Sequence, residues 1–172
     1  IQLLETESAV ADGPGQPLPK GALALSFDQV SFRYGQAAPD HEPVLERLSF
    51  HLPPGTVLGL LGRTGSGKTT LARLVFRFYD PTAGQISLNG IPIDRPRIDQ
   101  LRGRVAYVTQ EVQLFHASVR DNLTFFQDLP KAQIRAAIAE LGLSDWLASL
   151  PAGLDTVVGA GGRGLSAGEA QL

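Results

Sequence analysis

The 172-residue chain contains no cysteine. Disulfides and thiolate metal sites are thereby excluded, and the absence fits a reducing compartment. Long apolar runs are missing too. No stretch approaches the roughly 18–20 consecutive apolar residues that a membrane-crossing helix needs. We read no signal peptide at the N-terminus, so any membrane role rests on something other than these residues. A formal net charge of −2 argues against the basic footprint of a nucleic-acid binder. The single tryptophan, Trp146, lies in a short helical stretch and reads as core packing rather than a ligand platform. What remains is ordinary: 43% hydrophobic and 19% charged residues describe a soluble globular protein. The length allows one good core and is short for two domains.

The chain is organised around Val57 to Thr70, Val-Leu-Gly-Leu-Leu-Gly-Arg-Thr-Gly-Ser-Gly-Lys-Thr-Thr. Val57, Leu58, Leu60 and Leu61 form the short apolar run expected of a parallel strand covered on both faces. Gly62, Gly67, Lys68 and Thr69 then fit the phosphate-loop pattern: glycine, four residues, Gly-Lys, and Ser or Thr. In such a loop the backbone N–H groups cradle the α- and β-phosphates of a nucleotide, and glycines let them approach without Cβ atoms in the way. Lys68 would reach the β- and γ-phosphates as a compact point charge, and Thr69 Oγ would hold Mg²⁺. The candidate binding residues are Gly62, Arg63, Thr64, Gly65, Ser66, Gly67, Lys68, Thr69 and Thr70. Leu71, Leu74, Val75 and Phe78 repeat at helical spacing, and Asp80-Pro81 is expected to stop that helix. Its N-terminus would point at the same anion. The plain alternative is a flexible Gly/Ser turn that happens to contain a lysine. Average residue usage gives the bare pattern by accident in roughly one chain of this length in a few hundred, and the strand–loop–helix order lowers that further.

Around this centre the chain reads as follows. Ile1 to Glu7 resembles the end of a short helix, and Ala11 to Gly21 is a Pro/Gly-rich, semi-extended linker. Leu23, Leu25 and Phe27 alternate, then Val30, Phe32 and Tyr34 alternate one residue out of step. The slip predicts a bulge near Asp28-Gln29 in an antiparallel pair. Gln36 to Pro43 is a polar loop, and Val44 to Leu52 is a further strand. Gln85 to Leu88, Asn89-Gly90 and Ile91 to Ile93 form a hairpin whose Pro92 marks an edge strand. Ile98 to Leu101 is one helical turn and Val105 to Val108 another apolar strand, with Gln110 leaving its end. Val112 to Leu150 reads as a small helical subdomain. In it Ser118 caps a helix from Val119 to Leu123, and Ile134, Ile138 and Leu141 line a helix that Gly142 ends. Asp145 to Leu150 is a further short helix, and Ser166 with Glu169 announces one more through a capping box.

Together these features resemble the nucleotide-binding domain of an ATP-binding cassette (ABC) transporter of the exporter type, from about Leu23 to Leu172. The resemblance implies an α/β fold: a P-loop NTPase (RecA-like) core with an N-terminal antiparallel β subdomain and an inserted α-helical subdomain, its C-terminal part missing. Residues 1–21 would be a linker from an upstream transmembrane domain. Residues 22–110 would form the β subdomain and Walker A core, and residues 111–172 the helical subdomain ending in the signature motif. Val30-Ser-Phe-Arg-Tyr34-Gly is similar to the family strand whose aromatic stacks on adenine, which implies Tyr34 as base platform. Gly62 to Thr70 matches the Walker A loop, with Lys68 in its catalytic role. Gln110 falls where the family places the glutamine that helps hold Mg²⁺ and the attacking water. Leu114-Phe-His-Ala-Ser-Val-Arg-Asp-Asn-Leu123, Gly153 to Gly159 and Gly161 to Ser166 resemble the exporter segments leading to the signature. Ser166 and Gly168 are then the positions touching a γ-phosphate held by the opposite subunit.

This chain departs from the family at several positions. Ala167 and Glu169 stand in a signature that is usually Leu-Ser-Gly-Gly-Gln, and Ala160 stands where many exporters carry a glutamate. We read these as a subfamily variant, the alternative being a half-site of reduced activity in a heterodimer. The Walker B strand, catalytic glutamate and switch histidine have no counterpart in residues 1–172, and His41, His51 and His116 lie in the wrong regions to replace the last. These 172 residues alone are therefore expected not to turn over ATP, and their sheet is expected to lack strands at its centre. The implied parent is an ATPase using ATP and Mg²⁺ at the cytoplasmic face of a membrane. It would pair head-to-tail with a second nucleotide-binding domain, identical or not, act on its own transmembrane domain and bind no nucleic acid. Among rival readings, a chromosome-maintenance ATPase would need a long coiled coil that the span from Gln110 to Leu165 cannot hold. A small-molecule kinase would lack the Leu-Ser-x-Gly element. A regulatory module that binds ATP without hydrolysing it remains the alternative of a different class.

Overall fold

The computed structural model describes residues 10–35, 43–109 and 113–159. They fall into two compact units divided between Val108 and Thr109.

In the first unit, strand β1 (Leu25–Phe32) pairs antiparallel with β2 (Leu45–Leu52) on one side and β3 (Ala83–Leu88) on the other. The short β4 (Ile91–Pro92) completes the sheet in the order β2-β1-β3-β4. Pro92 thus sits on an edge strand, where its missing N–H costs no ladder bond. The expected bulge is present: both registers shift beyond Phe27–Asp28, and Gln29 takes φ 48°. The extra residue lets Phe27, Val30 and Phe32 all face inward, although a strict period of two would send Val30 outward. Opposite the bulge, Gly84 at φ 79° passes so close that a Cβ would lie 2.2 Å from the Gln29 carbonyl oxygen. Only glycine fits there. Asn89 and Gly90, with φ 48° and 78°, make the turn between β3 and β4, the conformation that Asn-Gly favours.

Helix α1 (Lys68–Val75) lays Leu71, Leu74 and Val75 into the core formed by Phe27, Val30, Phe32, Leu45, Ile86 and Leu88. It is shorter than expected. Phe78 lies beyond it and is 41% exposed. Asp80-Pro81 does not stop the helix; Arg77 does, two residues past its end, in the left-handed region at φ 54°. The Arg77 amide donates to the Leu74 carbonyl and the Phe78 amide to the Arg73 carbonyl, each at 3.0 Å. These are the two bonds of a Schellman closure. Glycine usually fills that position, and the arginine is held there by its side chain. The buried guanidinium donates to Asp80 at 2.8 Å and to the Ala11 carbonyl at 2.9 Å.

The second of those partners belongs to the Pro/Gly-rich segment, which has no regular secondary structure but is bonded along its length to the rest of the first unit. The Gly15 and Gln16 amides both donate to the Arg95 carbonyl at 3.0 Å. Asp12 Oδ1 accepts from the Ile98 amide at 2.7 Å, filling an open donor at the start of α2 (Ile98–Arg102). Arg104 donates to the carbonyls of Pro19 and Gly21.

Two expected strands do not form. Val57 to Leu61 is not a buried parallel strand: Val57 and Leu61 are 97% and 98% exposed, and no strand pairs with the run among the described residues. Val105 to Val108 likewise carries no ladder. Val105 packs on the core and Tyr107 on Phe76 and Phe78, while Val108 is exposed. The reason is the same for both. An apolar run becomes a strand only when neighbouring chain takes up its N–H and C=O groups, and none of the described residues does so.

In the second unit, β5 (Ala117–Ser118) pairs antiparallel with β6 (Val157–Val158). Between them run α3 (Val119–Thr124), α4 (Lys131–Glu140), α5 (Ser144–Ser149) and a 3-10 turn at Gly153–Asp155. Ser118 caps α3 as expected, its Oγ accepting from the Asp121 amide at 3.1 Å. Ile134 and Ile138 of α4 join Val119, Leu147, Leu154 and Val158 in the core, with Trp146 packed against it. Leu141 does not belong to that face: it lies past the helix end and is 71% exposed, just before Gly142 at φ 71°.

Candidate nucleotide site

The loop from Gly62 to Gly67 closes on itself through Lys68. The Lys68 ammonium donates to the carbonyls of Gly62 and Arg63 at 2.7 and 2.8 Å and to Ser66 Oγ at 3.1 Å. An ammonium has three hydrogens, and all three face into the loop. The positive charge is thus held across the mouth of the turn, at the end of the chain segment that feeds α1. Gly67 is the N-cap of that helix, in the left-handed region at φ 86°. A Cβ at Gly67 would come within 2.8 Å of Leu45 Cδ2 and 3.1 Å of the Val44 carbonyl. So the pattern's second glycine is required twice, by its dihedral and by the close approach of β2. No side chain caps α1, and its first turn contains no acidic residue. The first amides of the helix therefore keep the partial positive charge that attracts an anion.

The two threonines after Lys68 part company. Thr69 is exposed. Thr70 is buried, and its Oγ1 lies 3.0 Å from the Tyr34 hydroxyl. Arg63, Thr64, Gly65 and Ser66 are all exposed along the turn. Tyr34 itself is half-buried, its ring edge-on to Phe32 and Tyr79 with centroids 4.8 and 5.2 Å away. Arg73, one turn along α1 from Thr70, donates to the same hydroxyl at 3.4 Å. The Arg73 pKa is raised by that bond first and by Tyr107 second. Sequence reasoning did not single out Arg73. Its only signal is position, three residues after Thr70 and so on the same helix face. Gln110, Ser166 and Gly168, like Ala160, Ala167 and Glu169, lie outside the described residues.

The set fits a magnesium nucleotide. An exposed threonine and open helix amides suit phosphate oxygens, and so does the Lys68 ammonium once it exchanges its loop acceptors for them. Mg²⁺ is commonly taken by one hydroxyl or carboxylate, substrate phosphates and water rather than by an all-protein cage. Among the described residues no group of three or more His, Cys, Asp or Glu side chains gathers as a metal cluster.

The ABC transporter family model matches residues 45–172. The chain belongs to that family, and its fold is that of an ABC ATPase. A protein of Burkholderia orbicola named as an ATP-dependent lipid A-core flippase is 41% identical over 165 residues, covering 96% of this chain and 27% of its own length. A protein of the same name from Cupriavidus metallidurans is 42% identical over 161 residues, covering 91% of this chain and 27% of its own length. Among solved structures, a bacterial Atm1-family ABC exporter with ATP bound superposes with a TM-score of 0.84 at 36% identity. It covers 98% of this chain and 30% of the exporter. The chain thus spans less than a third of the proteins it matches.

Proposed function

We propose that residues 62–70 bind the triphosphate tail of ATP and that the whole protein is an exporter driven by ATP binding and hydrolysis. The observation that carries this reading is the Lys68 ammonium held by three bonds across a loop that opens onto an uncapped helix N-terminus. Loop amides and α1 would take the α- and β-phosphates, Lys68 the β- and γ-phosphates, and Thr69 the magnesium ion together with Gln110. Tyr34 would offer the base a π-face. Ser166 and Gly168 would serve the γ-phosphate of a second nucleotide-binding domain paired head-to-tail, identical or not.

Two kinds of relative support export: flippases by name, and an Atm1-family exporter by structure. No helix among the described residues is long and apolar enough to cross a membrane. In this reading, transport is carried by membrane helices joined through the N-terminal segment, and residues 10–159 work at the cytoplasmic face. Photo-crosslinking with labelled ATP, run beside a phosphate-release assay on the full-length protein, tests the proposal. Crosslinking and release both lost in Lys68→Ala are expected. Crosslinking without release in the wild type would instead mark a nucleotide-binding regulatory module.

A further inference from the structure

A base platform needs only a π-face, and phenylalanine would supply one. Tyr34 spends its hydroxyl elsewhere. Arg73 can only donate, so the Tyr34 oxygen accepts from it, and the same hydroxyl bonds Thr70 Oγ1, where either oxygen can be the donor. The chain Arg73–Tyr34–Thr70 is continuous, and a charged donor stands at one end of it. It joins residues 36 positions apart, from just beyond β1 to the first turn of α1. Thr70 is 5% exposed, so a lost partner there is not simply replaced by water. It also directly follows Lys68 and Thr69, the two residues assigned above to the phosphates and the metal. The Tyr34 ring is fixed in turn by Phe32 and Tyr79.

We propose that Tyr34 is a positioning residue for the phosphate loop: its hydroxyl, bonded between Arg73 and Thr70, holds the first turn of α1 in phosphate-binding geometry. The proposal rests on the phosphate-loop reading and adds to it a coupling between the base side and the phosphate side of the site. A purely stacking Tyr34 would matter only to ligands that carry a base. A positioning Tyr34 matters equally to ligands that carry none.

The test is the affinity of the full-length protein for magnesium ATP and for magnesium tripolyphosphate. Wild type, Tyr34→Phe, Thr70→Val, Thr70→Ser and the Tyr34→Phe/Thr70→Val double variant are titrated with both, and melting temperatures confirm that each is folded. Tyr34→Phe is expected to weaken both ligands by the same factor, about 3–10-fold, the worth of one hydrogen bond. Thr70→Ser, which keeps a hydroxyl, should lose less affinity than Thr70→Val. The double variant should be no weaker than the weaker single variant, because both changes break one bond. Tripolyphosphate affinity unchanged in Tyr34→Phe would overturn the tether, and so would a double variant equal to the product of the singles. Should Tyr34→Phe fail to fold, Arg73→Leu carries the same test from the other end: equal weakening supports the tether and none overturns it. A folded wild type that holds neither ligand overturns the phosphate-loop reading itself, and the tether with it.

Discussion

In β1, Phe27, Val30 and Phe32 are buried between two hydrogen-bonded neighbours, whereas Val57 and Leu61 lie bare in a run at least as apolar. The contrast separates what makes a residue apolar from what makes it core. Burial in β1 follows from ladders on both edges and from Leu74 closing the face. The 57–61 run has neither. The first region holds the fold together, while the second delivers the chain to a loop whose organisation is almost wholly local, through Lys68 and its three acceptors.

Four substitutions sharpen or break that contrast. The largest effect on stability is expected from Leu74→Ala, at about 2–5 kcal/mol, since the side chain is fully buried among β-strand residues. Denaturant unfolding measures it, and a loss under about 1 kcal/mol would mean that the sheet and α1 are not one core. Gly84→Ala should follow at about 1–3 kcal/mol, because the new Cβ meets the bulge backbone in a left-handed conformation. Asp12→Asn should lower the melting temperature by less, and in a pH-dependent way. The Ile98 amide holds the Asp12 carboxylate below its ordinary pKa. Its contribution is therefore present at neutral pH and lost as pH falls through the carboxylate range, so wild type and variant should converge on acidification. A gap that persists in acid would show that Asp12 acts through packing instead. The smallest change is expected from Leu61→Ser in residues 1–172, within about 0.5 kcal/mol. A cost comparable to that of Leu74→Ala would show that the run is covered in solution.

The elements legible in the sequence were those fixed by neighbouring residues. Asn89-Gly90 makes its turn from two residues that tolerate positive φ, Ser118 reaches its own helix, and the out-of-step alternation at Asp28-Gln29 declares its bulge. The closure of the loop at Gly62 to Gly67 on Lys68 belongs with them, because the glycines and the lysine lie within seven residues. Features that depend on distant residues were not legible. Arg77 ends α1 because Asp80 and Ala11 hold its guanidinium, the latter 66 positions away. The segment from Ala11 to Gly21 reads as a linker by composition, yet its bonds run to Arg77, Arg95, Ile98 and Arg104. The pattern at Val57 to Leu61 described a strand correctly only on the assumption that neighbours would arrive. The sequence points to the ring of Tyr34, but its hydroxyl's contact with Thr70 comes only from the fold.

In the proposed site, phosphates hold the nucleotide more than the base does. Titration of full-length Lys68→Ala and Tyr34→Ala with magnesium ATP tests it most directly. The lysine variant is expected to lose about 100-fold in affinity, as removal of a charge-assisted contact to phosphate implies, and the tyrosine variant clearly less. A Tyr34→Ala loss exceeding that of Lys68→Ala would contradict the claim.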